Sequence, residues 1–168
     1  MKQVIDSMLN ELREEASITK RVLERVPEDK LSWKPHPKSM SLGQLALHVA
    51  RIPGNLAKLV QLDEFDASQA NFQPPVPSNL KEIHSTLNES VQTAEAYLAG
   101  MTERHATANW RLTLKGKEVF GKPRLGVLRS ILFNHWYHHR GQLSVYLRLL
   151  EVPVPVIYGR SADENPFA

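Results

Sequence analysis

Cysteine is absent from this 168-residue chain. That absence excludes disulfide scaffolds, cysteine-based zinc sites and cysteine nucleophiles, and any thiol chemistry must then come from a small molecule. Also missing is an apolar run approaching the roughly 18 to 20 residues that a bilayer span requires. Asp6, Asn10, Glu11 and Arg13 interrupt the stretch where a signal peptide would carry its apolar region, so the expectation is a soluble, cytoplasmic protein. Charge of one sign is scarce too. With 21 Lys and Arg against 18 Asp and Glu, the net charge is only +3. That excess is scattered, so a pI near 9.2 does not amount to a basic footprint. Neither nucleic acid nor membrane is an expected partner; a small-molecule substrate is.

What is present reads as one globular domain over residues 1–168. Apolar residues make up 42% and charged residues 23%, close to ordinary soluble usage and unlike a disordered chain. Eleven prolines fall mostly in clusters, and the stretches between them carry helical periodicity. Ile5, Met8, Leu12, Ala16, Thr19, Leu23 and Val26 repeat at helical spacing until Pro27 stops the run. Ser41 followed by Gln44 predicts a capping box and a second helix, whose inward face is Leu45, His48, Val49 and Ile52. Pro53 and Gly54 are expected to kink or interrupt it. A long connection with Pro74, Pro75 and Pro77 follows. Asn79 with Glu82 predicts the next start, and a stripe from Leu80 to Leu98 runs to Gly100. Lys115-Gly116-Lys117, flanked by short alternating segments, suits a small hairpin. A last helix is expected from about Pro123 to Leu150, followed by an extended tail. Four long helices with one long crossover predict an all-α four-helix bundle.

Histidine is the chemically informative residue, with seven copies. His135 and His139 lie four apart on the last helix, which places them about 40° apart around its axis with Cβ atoms about 5–6 Å apart. Both rings can address one ion. Leu128, Ile131 or Leu132, Gln142 and Tyr146 share their stripe, the face that a bundle would bury, and two partnerless imidazoles there would be costly. A third ligand should come from another helix: His48 is the first candidate and His84 the second. His36 and His105 fall in loops, and His138 points about 100° away from His139. A histidine pair at this spacing also occurs on helices that bind nothing, and a single inward histidine is ordinarily a hydrogen-bonded core residue. An inward-facing histidine on a second helix brings the metal reading level with the structural one. Trp136 stands where a zinc protease places its glutamate, and no Glu-x-x-His, Walker, dinucleotide-glycine or nucleophile-elbow pattern occurs.

These residues resemble a known family. NHWYHHRGQLSVYLRLL at 134–150, LSWKPHPKSMSLGQLALHVA at 31–50 and PVPVIYGRSADE at 153–164 resemble, in order, the motifs of the DinB family of DinB/YfiT-like metalloenzymes. The resemblance implies a four-helix bundle of unusual connectivity, usually dimeric, with one divalent metal on three histidines. Carried over residue by residue, that triad falls on His48, His135 and His139. Relatives with assigned chemistry include thiol-dependent S-transferases and a mycothiol-dependent maleylpyruvate isomerase.

Three imidazoles leave an ion an open position, the pattern of catalytic rather than structural sites. Zinc or nickel suits such a donor set best, with iron or manganese as alternatives. The leading expectation is a metal-dependent transferase or isomerase that uses a low-molecular-weight thiol. Against it stand metal-dependent hydrolysis and a non-catalytic bundle that is structural or ligand-sensing. Gln142 and Tyr146 are candidates to orient a substrate. Arg140 either binds an anion or pairs with a carboxylate, the latter being favoured; Asn134 flanks the ligands, Trp33 packs at the bundle end, and Glu15 is expected to be solvated. Phe133, Trp136, Tyr137, Val145 and Leu149 fall outside the metal stripe, so the last helix needs cover on a second side. The 63–77 connection or the proline-bearing tail would serve as well as a second subunit, and it is the family resemblance that makes a homodimer the expectation.

Overall fold

The computed structural model describes residues 1–71 and 73–167. Helix α1 spans Lys2–Leu23 and buries Ile5, Met8, Leu12, Thr19 and Leu23 along one stripe. It ends three residues before the expected Val26, and Pro27 follows as the start of a short 3-10 turn. Helix α2, Leu42–Gln61, begins at the expected capping box. The Gln44 amide donates to Ser41 Oγ (3.2 Å) and the Ser41 amide donates to Gln44 Oε1 (2.9 Å), so two otherwise orphaned donors are satisfied reciprocally.

Pro53 does not interrupt α2, which runs through it. The next amide, that of Gly54, donates to Ser90 Oγ at 2.7 Å, so α3 supplies the acceptor. Glycine is required there by closeness: a Cβ at residue 54 would lie 2.8 Å from the Ser90 Cα. Helix α3, Leu80–Ala99, starts on Asn79, whose Oδ1 accepts the Glu82 amide at 2.9 Å. A short α4, Glu103–Thr107, follows.

The all-α expectation is corrected by a three-stranded sheet. Strands β2 (Asn109–Leu114) and β3 (Lys117–Pro123) form the expected hairpin. Lys115 and Gly116 both take positive φ, 50° and 75°, the turn that matches the twist of paired strands. The third strand, β1 at Glu64–Asp66, pairs parallel with β2 through Phe65 and Leu112. The Asp66 carboxylate accepts the amides of Lys115 and Gly116, each at 3.0 Å, which locks β1 to the turn.

The last helical run begins after Pro123, which ends β3 and caps α5, Arg124–Val127. A π-helical turn, Leu128–Phe133, leads into α6, Asn134–Leu149. A π turn holds an extra residue, so it rephases the side chains that follow it, and such turns recur at functional sites. Here it sits immediately ahead of His135. Helix α2 packs on both α3 and α6, and α1 packs on α3 and α6. Leu12, Leu45, Val49, Ile83, Phe133 and Trp136 are buried in the core between them. Among the described residues no helix is long and apolar enough to cross a membrane.

Two buried arginines fix the ends of this arrangement. Arg124 donates to the carbonyls of Val60 and Leu62, each at 3.0 Å, which satisfies the carbonyl end of α2 with a cation. Arg140 pairs with Glu15 at 2.5 Å and donates to Thr19 Oγ1 at 3.1 Å. Glu15 is therefore buried, not solvated as expected, and Arg140 takes the carboxylate partner favoured for it. Tyr158 from the tail donates to Glu15 at 3.1 Å. Asp163 and Glu164 pair with Arg148, Arg21 and Arg25, so the tail is strapped across α1 and α6. It covers the Tyr137 side of α6, where the Tyr137 and Tyr158 rings lie 6.2 Å apart, while Val145 and Leu149 stay more than half exposed.

Removing one partner of a buried ion pair leaves an uncompensated charge. Arg140→Met should therefore cost about 3 kcal/mol, read as a fall in the urea midpoint. The double variant Glu15→Leu/Arg140→Met should recover much of that loss. A single variant within about 0.5 kcal/mol of the native chain would contradict this role.

Candidate metal centre

The capping box and the Leu45, Val49 and Ile52 contacts set the rotation of α2, so His48 emerges at the edge of the core, half-buried. Across the seam, α6 presents His135 and His139 from successive turns, also half-buried. One ligating atom from each of the three lies within 4.8 Å of the others. Ring centroids are 4.4 Å apart for His135 and His139, 4.5 Å for His48 and His139, and 5.4 Å for His48 and His135.

The closest approach is between His48 Nε2 and His135 Nε2, at 3.2 Å. An ion with bonds of about 2.0–2.1 Å to imidazole separates neighbouring ligand nitrogens by about 2.9 Å at right angles and about 3.3 Å at tetrahedral angles. The observed spacing falls between these limits, so this pair of nitrogens fits a shared divalent ion, with a ligating atom of His139 within 4.8 Å of both. His139 Nδ1 donates to Gln142 Oε1 at 2.7 Å. With its proton on Nδ1, the ring keeps its lone pair on Nε2, and the amide fixes the ring's orientation.

All three imidazoles are held below the ordinary histidine pKa of 6.5. Burial pushes His48 down to about 4, reinforced by the neighbouring His139 and His135. Burial likewise lowers His135 to about 4, with His139 and His138 adding to it. His139 is lowered chiefly by burial and by His138, against the opposing Gln142 hydrogen bond. Neutral imidazole is the form that binds a metal.

His48 and His135 of the triad line a cavity of about 710 Å³, together with Met40, Arg51, Asn55, Gln73, Pro74 and Pro75. The connection between α2 and α3 forms one side of it, held by a 2.9 Å hydrogen bond from Gln44 Nε2 to the Pro74 carbonyl. Gln44 thus both caps α2 and fastens the wall of the site. Among the described residues the triad includes no fourth His, Cys, Asp or Glu.

The other candidates fall elsewhere. His84 lies on α3 outside the triad, His36 and His138 are exposed, and His105 approaches the Tyr97 hydroxyl at 3.2 Å. Tyr146 donates to the Met40 carbonyl at 3.3 Å and meets the Trp33 ring edge-on at 5.7 Å, so its hydroxyl braces the loop before α2. Gln142 serves His139, and Asn134 is exposed at the start of α6. Arg51 was not among the candidates read from the sequence. The available signal was its place three residues beyond His48, on the same helical face.

Fold and site together define a mainly helical protein in which three histidines from two helices converge beside an open cavity. The model of the DinB family matches residues 1–165, and the chain belongs to that family. It is 27% identical over 164 residues to YrdA of Bacillus subtilis, an uncharacterized protein, covering 98% of this chain and 93% of the relative. To YjoA of the same organism, also uncharacterized, it is 27% identical over 133 residues, covering 79% and 81%. Among solved structures, a DinB-like protein from Bacillus cereus aligns with a TM-score of 0.69 at 23% identity, over 91% of this chain and 97% of that one. The YjoA structure gives 0.68 at 21% identity, over 89% and 96%. At these identities the structural likeness establishes the fold.

Titration provides a test on the metal-stripped protein. In the unfolded chain His48 and His135 take up protons near pH 6.5, but in the folded chain only near pH 4. Stability is thus fully present above pH 6.5, declines as pH falls through that window, and levels off below about 4. Histidine NMR resonances of the folded protein should show midpoints near 4 for both residues. Midpoints near 6.5 would contradict the desolvated geometry.

Proposed function

We propose that this chain is a single-domain four-helix-bundle metalloprotein, with one divalent ion on His48, His135 and His139. We propose further that it is an enzyme, a transferase or isomerase that takes a low-molecular-weight thiol as cosubstrate. The observation that carries this reading is the triad itself: three neutral imidazoles, no fourth ligating side chain in the group among the described residues, and a cavity beside His48 and His135. Structural zinc sites are closed by four ligands, whereas three protein ligands with an open position is the catalytic arrangement. Zinc or nickel suits the donors, with iron or manganese as alternatives.

When bound, such an ion lowers the pKa of a thiol or water placed on it and polarises a carbonyl. The chain's own part is to hold and shield. Gln142 keeps the His139 proton on Nδ1, and the Pro74–Pro75 wall restricts solvent on one side. Since the chain has no cysteine, a thiol in this reaction must enter from solution through the cavity.

Val145 and Leu149, exposed on α6, are proposed as part of a homodimer contact. Light scattering at micromolar concentration should then give twice the 19.1 kDa of one chain; a single-chain mass would refute it.

Replacing any one of the three histidines with alanine should remove most of the bound metal while helical circular dichroism is retained, because each ring is half-buried at the edge of the core rather than within it. Stoichiometric metal in His48→Ala would refute the assignment. For the thiol, the cobalt-substituted protein should develop a near-ultraviolet charge-transfer band when 2-mercaptoethanol is added. An unchanged spectrum at saturating thiol would refute the cosubstrate and favour hydrolysis or a non-catalytic role.

A further inference from the structure

The cavity beside the triad carries a cation that the fold does not use. Arg51 lies three residues beyond His48 on α2, where side chains at i and i+3 share a face with Cβ atoms about 5–6 Å apart. It is half-buried in the cavity wall beside His48 and Asn55. Among the described residues no carboxylate lies within 4.0 Å of it. The two fully buried arginines contrast with it, since Arg124 and Arg140 are each tied to several acceptors.

Arg51 also borders the neighbouring groove between α2 and α3, where Glu89 lies, yet the two do not pair. Among the described residues, the cavity lining contains no Asp or Glu. A guanidinium that is partly desolvated, unpaired and facing a concave space is a fork for a planar oxyanion. A divalent ion on neutral imidazoles would add charge of the same sign to the same space, so the field throughout the cavity favours anions.

We propose that Arg51 is the specificity-determining residue of this cavity: it anchors a carboxylate of an anionic small molecule whose other end reaches the histidine triad. This deepens the proposed metal site and rests on that reading for where the rest of the ligand goes. It also assigns the anion-binding role to α2 rather than to Arg140, whose guanidinium is consumed by Glu15. The ligand class that follows is a carboxylic acid carrying a metal-seeking group, such as a thiol or a second carboxylate, a few bonds from the anchored end.

The test is calorimetric titration of succinate, with succinamide as the neutral counterpart, into the zinc-loaded native protein, Arg51→Gln and Arg51→Lys. The zinc content of every sample is measured in parallel. Native protein should bind succinate, and Arg51→Gln should bind it at least about tenfold more weakly. Arg51→Lys should fall between them, because a point charge replaces the planar fork. Succinamide binding and zinc content should be the same in all three. Equal succinate affinity in native protein and Arg51→Gln, or no succinate binding by zinc-bearing native protein, would overturn the anchor. A protein that takes up no zinc would instead overturn the metal reading. The anchor would then be decided on the same samples, standing if succinate binding is lost in Arg51→Gln and falling if it is not.

Discussion

The site depends on one close approach, the 3.2 Å between the Nε2 atoms of His48 and His135 across the seam of α2 and α6. Two desolvated imidazoles so near each other cannot both be protonated at modest cost. Burial, with repulsion from the neighbouring histidines added to it, keeps them neutral down to about pH 4. Neutrality leaves lone pairs available, and a third ring at 4.4–4.5 Å from the other two completes a cluster whose natural complement is a cation. Most of the rest of the structure can be understood as holding that approach in place.

The holding is done by polar groups as much as by apolar packing. The capping box sets where α2 begins, and Arg124 satisfies the carbonyls where it ends. On α6, the π-helical turn rephases the helix ahead of His135, while Arg140 ties the helix to α1 through Glu15 and Thr19. A small rotation of either helix would part the ligating atoms, so each helix is fixed at points on both sides of its histidines. Gly54 lets α3 approach α2 closely enough for Ser90 to accept an amide from the middle of the helix.

What could be read from the sequence was local. The caps at Ser41 and Asn79 are signalled within four residues, as is the Lys115–Gly116 turn, and the structure contains all three. Helical phase pairs His135 with His139 and makes His48 the first candidate for their partner ahead of His84, and the family resemblance points to the same three; the structure brings them together. What escaped was set by partners distant in sequence. Strand β1 is three residues long and exists because β2, nearly fifty residues away, pairs with it. Glu15 looks like any surface glutamate until Arg140 is placed against it, and Pro53 reads as a break until Ser90 is placed to accept the amide of the residue after it. Arg51 was legible only in part: its place three residues beyond His48 puts it on that helical face, but the lack of an acidic neighbour in space is something no pattern along the chain reveals.

Elemental analysis of the protein purified without an affinity tag and without added chelator bears most directly on the central claim. The account predicts close to one divalent ion per chain, lost when the histidines titrate and restored when pH is returned to neutrality. A preparation that is folded, carries less than about a tenth of an equivalent of any divalent metal, and takes up none on titration would contradict it.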